Sequence, residues 1–553
     1  MNRNAVIFVA ASLAVLLLWN YVLGRYPSPA QTSAATAPRG AMAASSGSPA
    51  AVGPVATVAP AAVPAPADHA APEQKVRVST ADFEAELSSQ GAQFTSLRLK
   101  NVRSMKADGG ILDLVPPGEL SLYGTIQLDG TGLDSMAWTL LTPKPVAHAD
   151  GQAVVFAARL PRTSLEFTKT FVFAPSGHRV QVLVGVRNVG NQAQKLLAPL
   201  AFTWGPFLGG NSGGFYRGRV QRSAVVQLAD RIERERSGKE VRTLDYDAPR
   251  WLALKNQYFV VGLFPAAGSG WTQGEVRDLG PGGMVVALRG GELSLAPGAS
   301  ATYGLSLWAG PQEYGTLKAV GDNFQGVVQF QFYSWLEWLN PLCVVLLYVL
   351  KWFYALTGNW GVAIILLTIL VRGALFYPSM KSMVKMRHMQ LKQAVLKPRL
   401  ETLKKTYKDN PQKLNEETLK LYREFGVNPL GGCLPMLVQI PIIFSLYDTL
   451  AAAYELRGAS FVWRWTDLSA ADPTYLFPLA MGVSMFLQQR LTPVAESATE
   501  EQQQMQKMML WMMPVMFTGM ALYMKWPMGL LLYWTASNLM GILQQLVVNR
   551  MVD

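Results

Sequence analysis

The pattern of hydrophobic and polar residues divides the chain into four kinds of segment. An uncharged apolar run near the N-terminus is followed by an Ala/Pro-rich stretch, a long region of alternating residues, and a C-terminal third rich in apolar runs. Apolar runs of about 20 residues are typical of membrane-spanning helices. Alternation with a period of two is typical of half-buried strands. The pattern therefore predicts a membrane protein that carries a large soluble β-domain.

The N-terminal segment, residues 1–25, predicts a transmembrane anchor. Arg3 precedes its apolar run, and positive charge marks the cytoplasmic side, so we expect a cytoplasmic N-terminus. A cleaved signal peptide is the alternative, but bulky residues occupy positions 19–21, where a cleavage site requires small ones. Residues 26–74 predict a disordered tether, because their Ala, Pro, Ser and Thr can bury too little apolar surface to offset ordering entropy.

Residues 75–318 predict an exported β-sandwich. Short alternating segments, such as 166–175 and 178–189, are separated by turn signals such as the Gly-Pro-Gly-Gly at 280–283. Because this region follows an anchor whose N-terminus is cytoplasmic, we expect it outside the cytoplasm.

Residues 319–358 predict a linker followed by an amphipathic helix that lies in the membrane interface. The segment is apolar and aromatic, yet it contains Glu337, Pro341 and Lys351. Another apolar run follows almost at once, so two consecutive spans would have to reverse direction within about two residues. An interfacial helix avoids that reversal.

Five later segments predict transmembrane helices, which gives six spans with the anchor. They are 359–378, 430–454, 474–492, 508–525 and 527–549. The predicted fold class is therefore a polytopic α-helical membrane protein, with a five-helix core, an N-terminal anchor and a large exported β-sandwich domain.

The loop at 379–427 predicts a basic helical hairpin on the cytoplasmic side. It contains twelve Lys or Arg and only five Asp or Glu, an excess that marks the cytoplasmic face of a span. Its two helices would pack through Leu396, Leu400 and Leu403 against Leu414, Leu421 and Phe425. Either these cations only enforce topology, or they dock ribosomal RNA or an emerging chain. The docking candidates are Lys381, Lys385, Arg387, Lys404 and Lys405.

Composition narrows the possible functions. The net charge of +12 suggests anionic lipid or nucleic acid as a partner. Because the cations concentrate in the loop beside a span, we expect anionic lipid and RNA rather than DNA. The sequence has no phosphate loop or HExxH motif, and its four histidines are scattered. We therefore predict a protein that is not an enzyme and needs no metal, cofactor or small-molecule substrate.

Arg372 is the most informative single residue. It lies within the apolar run 361–378, where a central Arg costs roughly 2.5–3.5 kcal/mol. Its side chain can snorkel to the cytoplasmic surface, or it can line a wet cavity. Thr368 lies one helical turn earlier on the same face, which favours a cavity that opens to the cytoplasm.

The segment 428–441, NPLGGCLPMLVQIP, closely resembles the signature of the YidC/Oxa1/Alb3 family of membrane protein insertases. Its signature positions are Asn428, Pro429, Gly431, Gly432, Cys433, Pro435, Gln439 and Pro441. The order of parts also resembles that of Gram-negative members of the family: anchor, exported β-domain, Arg-bearing span, basic hairpin and four further spans. The resemblance covers essentially the whole chain.

The resemblance implies an insertase and folding chaperone in the inner membrane of a Gram-negative bacterium, with residues 26–358 in the periplasm. Its partners would be nascent membrane proteins, the ribosome and the Sec translocon. Polar tails would enter a hydrophilic groove, and helices would leave it into lipid. The implied groove residues are Arg372, Thr368, Gln439, Tyr533, Trp534 and Asn538. Trp534 departs from the family, which often has tyrosine there.

Two alternatives belong to other functional classes. A secondary transporter would use Arg372 to bind an anionic solute, but it predicts repeated halves, and the sequence shows no internal repeat. An envelope scaffold would work through the β-domain, so deletion of most of residues 80–310 would abolish its function. The insertase hypothesis predicts that most activity survives that deletion.

Overall fold

The structure is a computed structural model of the 553-residue chain. It describes residues 72–103, 111–116, 122–128, 133, 135–161, 163–196, 198–209, 223–238, 240–330, 334–381, 384, 396, 398–400, 402–403, 405–408, 410–425, 434–491 and 500–552. The predicted anchor at 1–25, and the tether up to position 71, lie outside these residues. The chain divides into two compact units, with the boundary between Val328 and Gln329.

The first unit contains the described strands. They are β1 (Lys75–Ser79), β2 (Phe83–Ser88), β3 (Gln93–Arg103), β4 (Ile111–Asp113), β5 (Thr125–Gln127), β6 (Thr139–Leu140), β7 (Val146–His148), β8 (Gly151–Arg159), β9 (Leu165–Phe173), β10 (Arg179–Asn188), β11 (Gln194–Leu196), β12 (Ala201–Trp204), β13 (Ser223–Gln227), β14 (Ile232–Arg236), β15 (Val241–Asp247), β16 (Trp251–Lys255), β17 (Phe259–Pro265), β18 (Trp271–Leu279), β19 (Met284–Gly290), β20 (Leu293–Leu295) and β21 (Ser300–Pro311).

These strands form four described sheets. The largest has the order β14-β13-β16-β17-β21-β10-β9-β8-β6, and β7 also pairs with β8. A five-stranded sheet has the order β15-β18-β19-β12-β5, and a four-stranded sheet follows the chain from β1 to β4. Strands β11 and β20 form a separate pair. All the pairings are antiparallel, as the alternating sequence predicts.

The core lies where the sheets face one another. Strand β10 buries every second residue, from Val180 to Val186, and β16 contacts β19 of the five-stranded sheet. Phe94 contacts Trp204 and Phe171, so side chains from all three large sheets meet in one aromatic cluster. The prediction of a β-rich, sandwich-like domain is confirmed.

Lys169 is a fully buried cation in the same core. Its Nζ donates to the carbonyl of Ala92 at 2.8 Å and to that of Gly124. It also lies 5.1 Å from the Phe171 ring centroid and 5.5 Å from that of Phe202. Burial lowers the pKa of Lys169 well below its usual value, because the charged form loses its hydration.

The first unit continues beyond its last strand. Helix α1 (Tyr314–Val320) and a 3-10 turn at Phe324–Val327 pack on β-sheet residues that include Trp251 and Trp308. Lys255 donates to the carbonyl of Val327 at 2.8 Å. The first residues of the predicted linker at 319–358 therefore belong to the β-domain.

The second unit is helical. Its helices are α2 (Asn340–Thr357), α3 (Trp360–Ala374), α4 (Pro411–Glu424), α5 (Leu434–Ala452), α6 (Leu476–Leu491), α7 (Glu500–Tyr523) and α8 (Met528–Val552), with 3-10 turns at Ser334–Leu339 and Tyr454–Leu456. Among the described residues, the segment Leu336–Thr357 is long and apolar enough to cross a membrane. Shorter apolar helical stretches lie at Trp360–Ala374, Pro441–Ala452 and Leu510–Tyr523.

Helix α2 does not have the polar face expected of an amphipathic helix. Cys343, Leu346, Leu347 and Leu350 are buried. Its exposed large side chains, Val345, Tyr348, Trp352 and Leu356, are apolar or aromatic. The one cation in the helix, Lys351, pairs with Glu455 at 2.6 Å. Its placement in the membrane interface stays a prediction.

The contacts between helices define their relative directions. Ile364 of α3 lies against Gly529 of α8, and eight residues further along each helix Arg372 contacts Ser537, so α3 and α8 run parallel. The contacts from Ser484 to Asn538 and from Leu491 to Asn549 make α6 and α8 parallel as well.

Helix α7 runs the other way. Gly482 of α6 lies against Thr518 of α7, whereas the later Phe486 contacts the earlier Trp511. Helices α6 and α7 are therefore antiparallel. Successive crossings of a bilayer produce this alternation.

Candidate functional site

The centre of the candidate site is a contact between Arg372 of α3 and Ser537 of α8. The Nε and Nη2 of Arg372 donate to the Ser537 Oγ, at 2.9 Å and 2.5 Å. The Tyr533 side chain also pairs with Ser537 and lies near the guanidinium. Tyr533 and Ser537 are one helical turn apart, so α8 presents both to the same face of α3.

The charge of Arg372 is not neutralised by an acid within the described part of the chain. Among those residues no carboxylate lies within 4.0 Å of its guanidinium, and its side-chain partner is a neutral hydroxyl. A cation in apolar surroundings is normally paired with an anion. This arrangement leaves a strong donor available to an acidic or carbonyl-bearing ligand.

Thr368 is close to Arg372 in sequence but makes a different contact. Its hydroxyl donates to the Ile364 carbonyl of its own helix at 2.7 Å, and the residue is fully buried. This bond satisfies the hydroxyl within α3. The structure therefore places Thr368 beside the site without a bond to Arg372.

Trp534 and Asn538 lie on other faces of α8. Trp534 stacks on Trp526 with ring centroids 5.6 Å apart, and Phe517 of α7 lies 5.4 Å away. Asn538 donates to the Ser484 hydroxyl of α6 at 3.0 Å. The structure thus brings Tyr533 to Arg372, while Trp534 packs in an aromatic cluster and Asn538 joins α8 to α6.

Much of the signature segment lies outside the described residues, namely Asn428, Pro429, Gly431, Gly432 and Cys433. Pro435 and Gln439 are in helix α5, and their side chains are not described. Pro441 lies inside the same helix. The groove role predicted for Gln439 stays a prediction.

The basic hairpin is described in part. Leu396 and Leu421 form a buried contact, with Leu400, Leu403 and Tyr422 packed around it. Arg399 lies 5.1 Å over the Phe425 ring. Of the docking candidates, Lys381 and Lys405 are exposed, and Lys385, Arg387 and Lys404 lie outside the described residues.

The sequence analysis did not place Ser537, Ser484 or Gln544 in a site. Ser537 follows Tyr533 by one turn, and that spacing was the available signal for pairing it with the same partner. Gln544 lies two turns after Ser537, is 5% exposed, and has an Nε2 without a hydrogen-bond partner among the residues that the structure describes. Such residues are hard to recognise from the sequence, because the mean hydropathy of an apolar segment changes little when it contains one polar residue.

Two family models match this chain in succession. The model of the YidC periplasmic domain matches residues 75–345, and that of the 60 kDa inner membrane protein matches residues 352–553. An insertase from Anaeromyxobacter dehalogenans (strain 2CP-C), named membrane protein insertase YidC, is 33% identical, covering 98% of this chain and 96% of its own. The chain belongs to the YidC family. A relative of the same name from Aromatoleum aromaticum is 32% identical and covers 100% of this chain and 98% of its own.

Membership in the YidC family confirms the resemblance predicted from residues 428–441. It also favours a membrane protein insertase over the transporter and scaffold alternatives. The matched relatives are named membrane protein insertases, and the match extends over nearly their whole length. A crystal structure of an active YidC insertase covers 88% of this chain and 94% of its own, at 19% identity and a TM-score of 0.32.

Proposed function

We propose that this YidC-family chain inserts newly made proteins into the inner membrane by holding a polar segment at Arg372 while the adjoining apolar helix moves into lipid. The observation that carries the proposal is the contact of Arg372 with a neutral Ser537. Among the described residues, the guanidinium has no acidic partner and its Nη1 makes no hydrogen bond. An acidic or carbonyl-rich tail supplies the acceptors that it lacks.

The energetics support a process without nucleotide hydrolysis. An apolar residue gains roughly 0.3–0.6 kcal/mol on entering the bilayer, so about fifteen of them give on the order of 5–9 kcal/mol. The obstacle is the polar tail, whose groups lose their water on the way across. A buried cation lowers that barrier for acidic tails, and the membrane potential adds roughly 2.3 kcal/mol per negative charge per 100 mV.

The proposed topology has six spans. The parallel pairs α3–α8 and α6–α8, with α7 antiparallel to α6, support successive crossings by these helices. In this topology the N-terminus and the basic hairpin are cytoplasmic, and residues 26–358 are periplasmic. The hairpin then lies where ribosomes and anionic lipids are found, and the Sec translocon is available within the membrane.

We also propose that the hairpin docks the ribosome through its exposed cations. Lys420 is exposed but pairs with Glu416 and Glu417 at 2.9 Å and 2.8 Å, whereas the exposed Lys381 and Lys405 have no ion pair among the described residues. Cations that bind phosphate release counterions, so the affinity falls steeply with salt. Lys405→Gln should weaken ribosome binding and reduce the salt dependence measured by co-sedimentation. Lys420→Gln, on the same hairpin, is the matched control.

Photocrosslinking tests the Arg372 proposal. A benzoylphenylalanine at position 533 keeps the phenyl ring of Tyr533 and replaces its hydroxyl with a photoreactive benzoyl group, and Leu539 on another, exposed face of α8 receives the control probe. During synthesis of a small client with an acidic tail, position 533 should crosslink to the tail, whereas position 539 should reach lipid. Crosslinks to lipid alone at both positions would contradict the proposal.

Substitution of Arg372 tests the role of charge. Arg372→Leu should slow insertion of the acidic-tailed client about tenfold, which corresponds to about 1.4 kcal/mol, and should affect a neutral-tailed client less. Arg372→Lys should restore part of the rate, because it keeps the charge but loses the forked geometry. Equal losses for both clients would indicate a structural role only.

A further inference from the structure

The loop between α5 and α6, residues 453–475, exposes an aromatic and a cationic side chain together. Trp463 is 68% exposed, and the exposed Arg464 lies 5.8 Å over its ring. The backbone at Trp463 has a φ of 55°, a left-handed conformation that is unfavourable for a residue with a side chain. The backbone at Trp463 is therefore strained, and this strain is not offset by burial of the Trp463 indole.

The neighbouring residues fix the turn that presents Trp463. The Phe461 N–H donates to the Trp465 carbonyl at 2.9 Å, and the Trp465 N–H donates to the Val462 carbonyl at 3.1 Å. The Trp465 ring packs on Phe477 at 4.6 Å and donates to Asp472 at 3.1 Å. Trp465 thus anchors the loop to α6, while Trp463 stays outside.

Two acidic residues of the loop, Asp467 and Asp472, accept hydrogen bonds from neighbouring residues. Asp467 accepts from the backbone N–H of Gly458 and from Ser469. Asp472 accepts from Trp465, Thr474 and Phe477. Although burial alone would raise it, these hydrogen bonds hold the pKa of Asp472 below its usual value, so it stays an anion. The exposed tip around Trp463 consequently presents the charge of Arg464.

We propose that Trp463 and Arg464 form a tip that docks into the phospholipid headgroup layer. An indole ring prefers the carbonyl level of the bilayer, and a guanidinium binds lipid phosphate. The loop starts directly after α5 ends at Ala452 and leads into α6 at Leu476, so it lies at a membrane surface if these helices span. Tyr475, with a φ of 58° and 61% exposure, adds a second aromatic at the same surface.

This inference goes beyond the proposed insertion function and shares with it only the placement of α5 and α6 in the bilayer. In the proposed topology the tip enters the outer leaflet. A lipid surface is favoured over a soluble partner because Phe461 and Trp465, on either side of this cation-aromatic pair, contact the starts of α3 and α6.

Spin-label accessibility in the full-length chain tests the tip. In a background with Cys343→Ala and Cys433→Ser, single labels are placed at Trp463→Cys and, as the matched control on the same loop, at exposed Thr466→Cys. Vesicles contain phosphatidylethanolamine and phosphatidylglycerol. The ratio of oxygen to nickel-chelate accessibility should be several times larger at 463 than at 466. Arg464→Gln should reduce the ratio at 463.

Two reference labels separate failure of the tip from failure of the membrane placement. Val483→Cys and Val515→Cys lie on exposed apolar faces of α6 and α7 and should report hydrocarbon. Hydrocarbon signals there with an aqueous signal at 463 overturn only the tip. Aqueous signals at all three positions overturn the helix placement as well. Shielding of 463 that appears only when a protein complex is added assigns the tip to a protein partner instead.

Discussion

The β-domain and the helical unit handle polar groups in opposite ways. The β-domain exposes charged residues, as in the cross-strand pair of Arg77 and Glu86 at 2.8 Å, and buries large apolar and aromatic ones. The helical unit exposes Trp511, Val515 and similar side chains, and buries Ser537, Asn538 and Gln544. The β-domain therefore buries apolar side chains, as a protein in water does, whereas the helical unit buries polar side chains, as a protein in lipid does.

The two regions also differ in how a buried cation is stabilised. Lys169 donates to two backbone carbonyls and lies near two aromatic rings, so its position is fixed by the fold. Arg372 donates, within the described part of the chain, only to the Ser537 hydroxyl. The first cation belongs to the architecture, whereas the second is the one proposed above to bind a client. This contrast is tested by substitutions that distinguish polar groups held by contacts within the protein from polar groups able to bind a client.

The largest stability effect should follow Lys169→Ala. The change leaves the carbonyls of Ala92 and Gly124 unpaired and opens a cavity beside Phe171, so we expect a loss of about 3–5 kcal/mol. Lys169→Met fills the space and removes the buried charge, and it should cost no more than about 2 kcal/mol. Urea unfolding of residues 72–328 measures both. Equal losses for Ala and Met would mean that the ammonium itself is indispensable.

A smaller effect concerns pH and Lys255. Burial, followed by the charges of Arg234 and Arg236, lowers the pKa of Lys255 to about 7. Between that value and the unfolded pKa near 10.5, the unfolded state binds more protons than the folded state. Stability should therefore rise with pH, by about 2–3 kcal/mol from roughly pH 7.5 to 9.5, and should change little below 7.

The control for this pH dependence is Lys255→Met, which removes the titrating group while keeping an extended side chain. Its unfolding free energy, measured in urea at the same pH values, should lack the rise seen in the parent domain. A parallel rise in both proteins would assign the effect to other groups.

Periodicity predicted the β-rich domain because its strands have one buried and one exposed face, as β10 shows. It also indicated Arg372, since a charge stands out in an apolar run. It could not identify Ser537 as the partner, because side-chain contacts between helices far apart in sequence depend on how α3 and α8 rotate about their axes. The environment of α2 depends on such contacts too: Lys351, one of the residues that suggested an interfacial helix, is paired with Glu455.

The smallest predicted effect concerns Asn538, a buried polar residue that is held by contacts within the helical unit and is not expected to bind a client. Its amide donates to Ser484 at 3.0 Å and approaches the Met481 carbonyl at 3.5 Å, so it joins α8 to α6 without reaching Arg372. Hydrogen bonds between membrane helices contribute about 0.6 kcal/mol on average and about 1.7 kcal/mol at most. Asn538→Leu should therefore weaken the bundle by about 1 kcal/mol in SDS unfolding of the full-length chain, with little effect on client insertion.

A double-mutant cycle with Ser484→Ala isolates this bond, because the second substitution should add little once Asn538 is gone. The decisive comparison is with Arg372→Leu. If Asn538→Leu slows insertion of an acidic-tailed client as strongly as Arg372→Leu does, then Asn538 also belongs to the transfer route. The assignment of Asn538 to a structural face of α8, and of Tyr533 and Ser537 to a client-binding face, would then be wrong, because residues on both faces would act on the client.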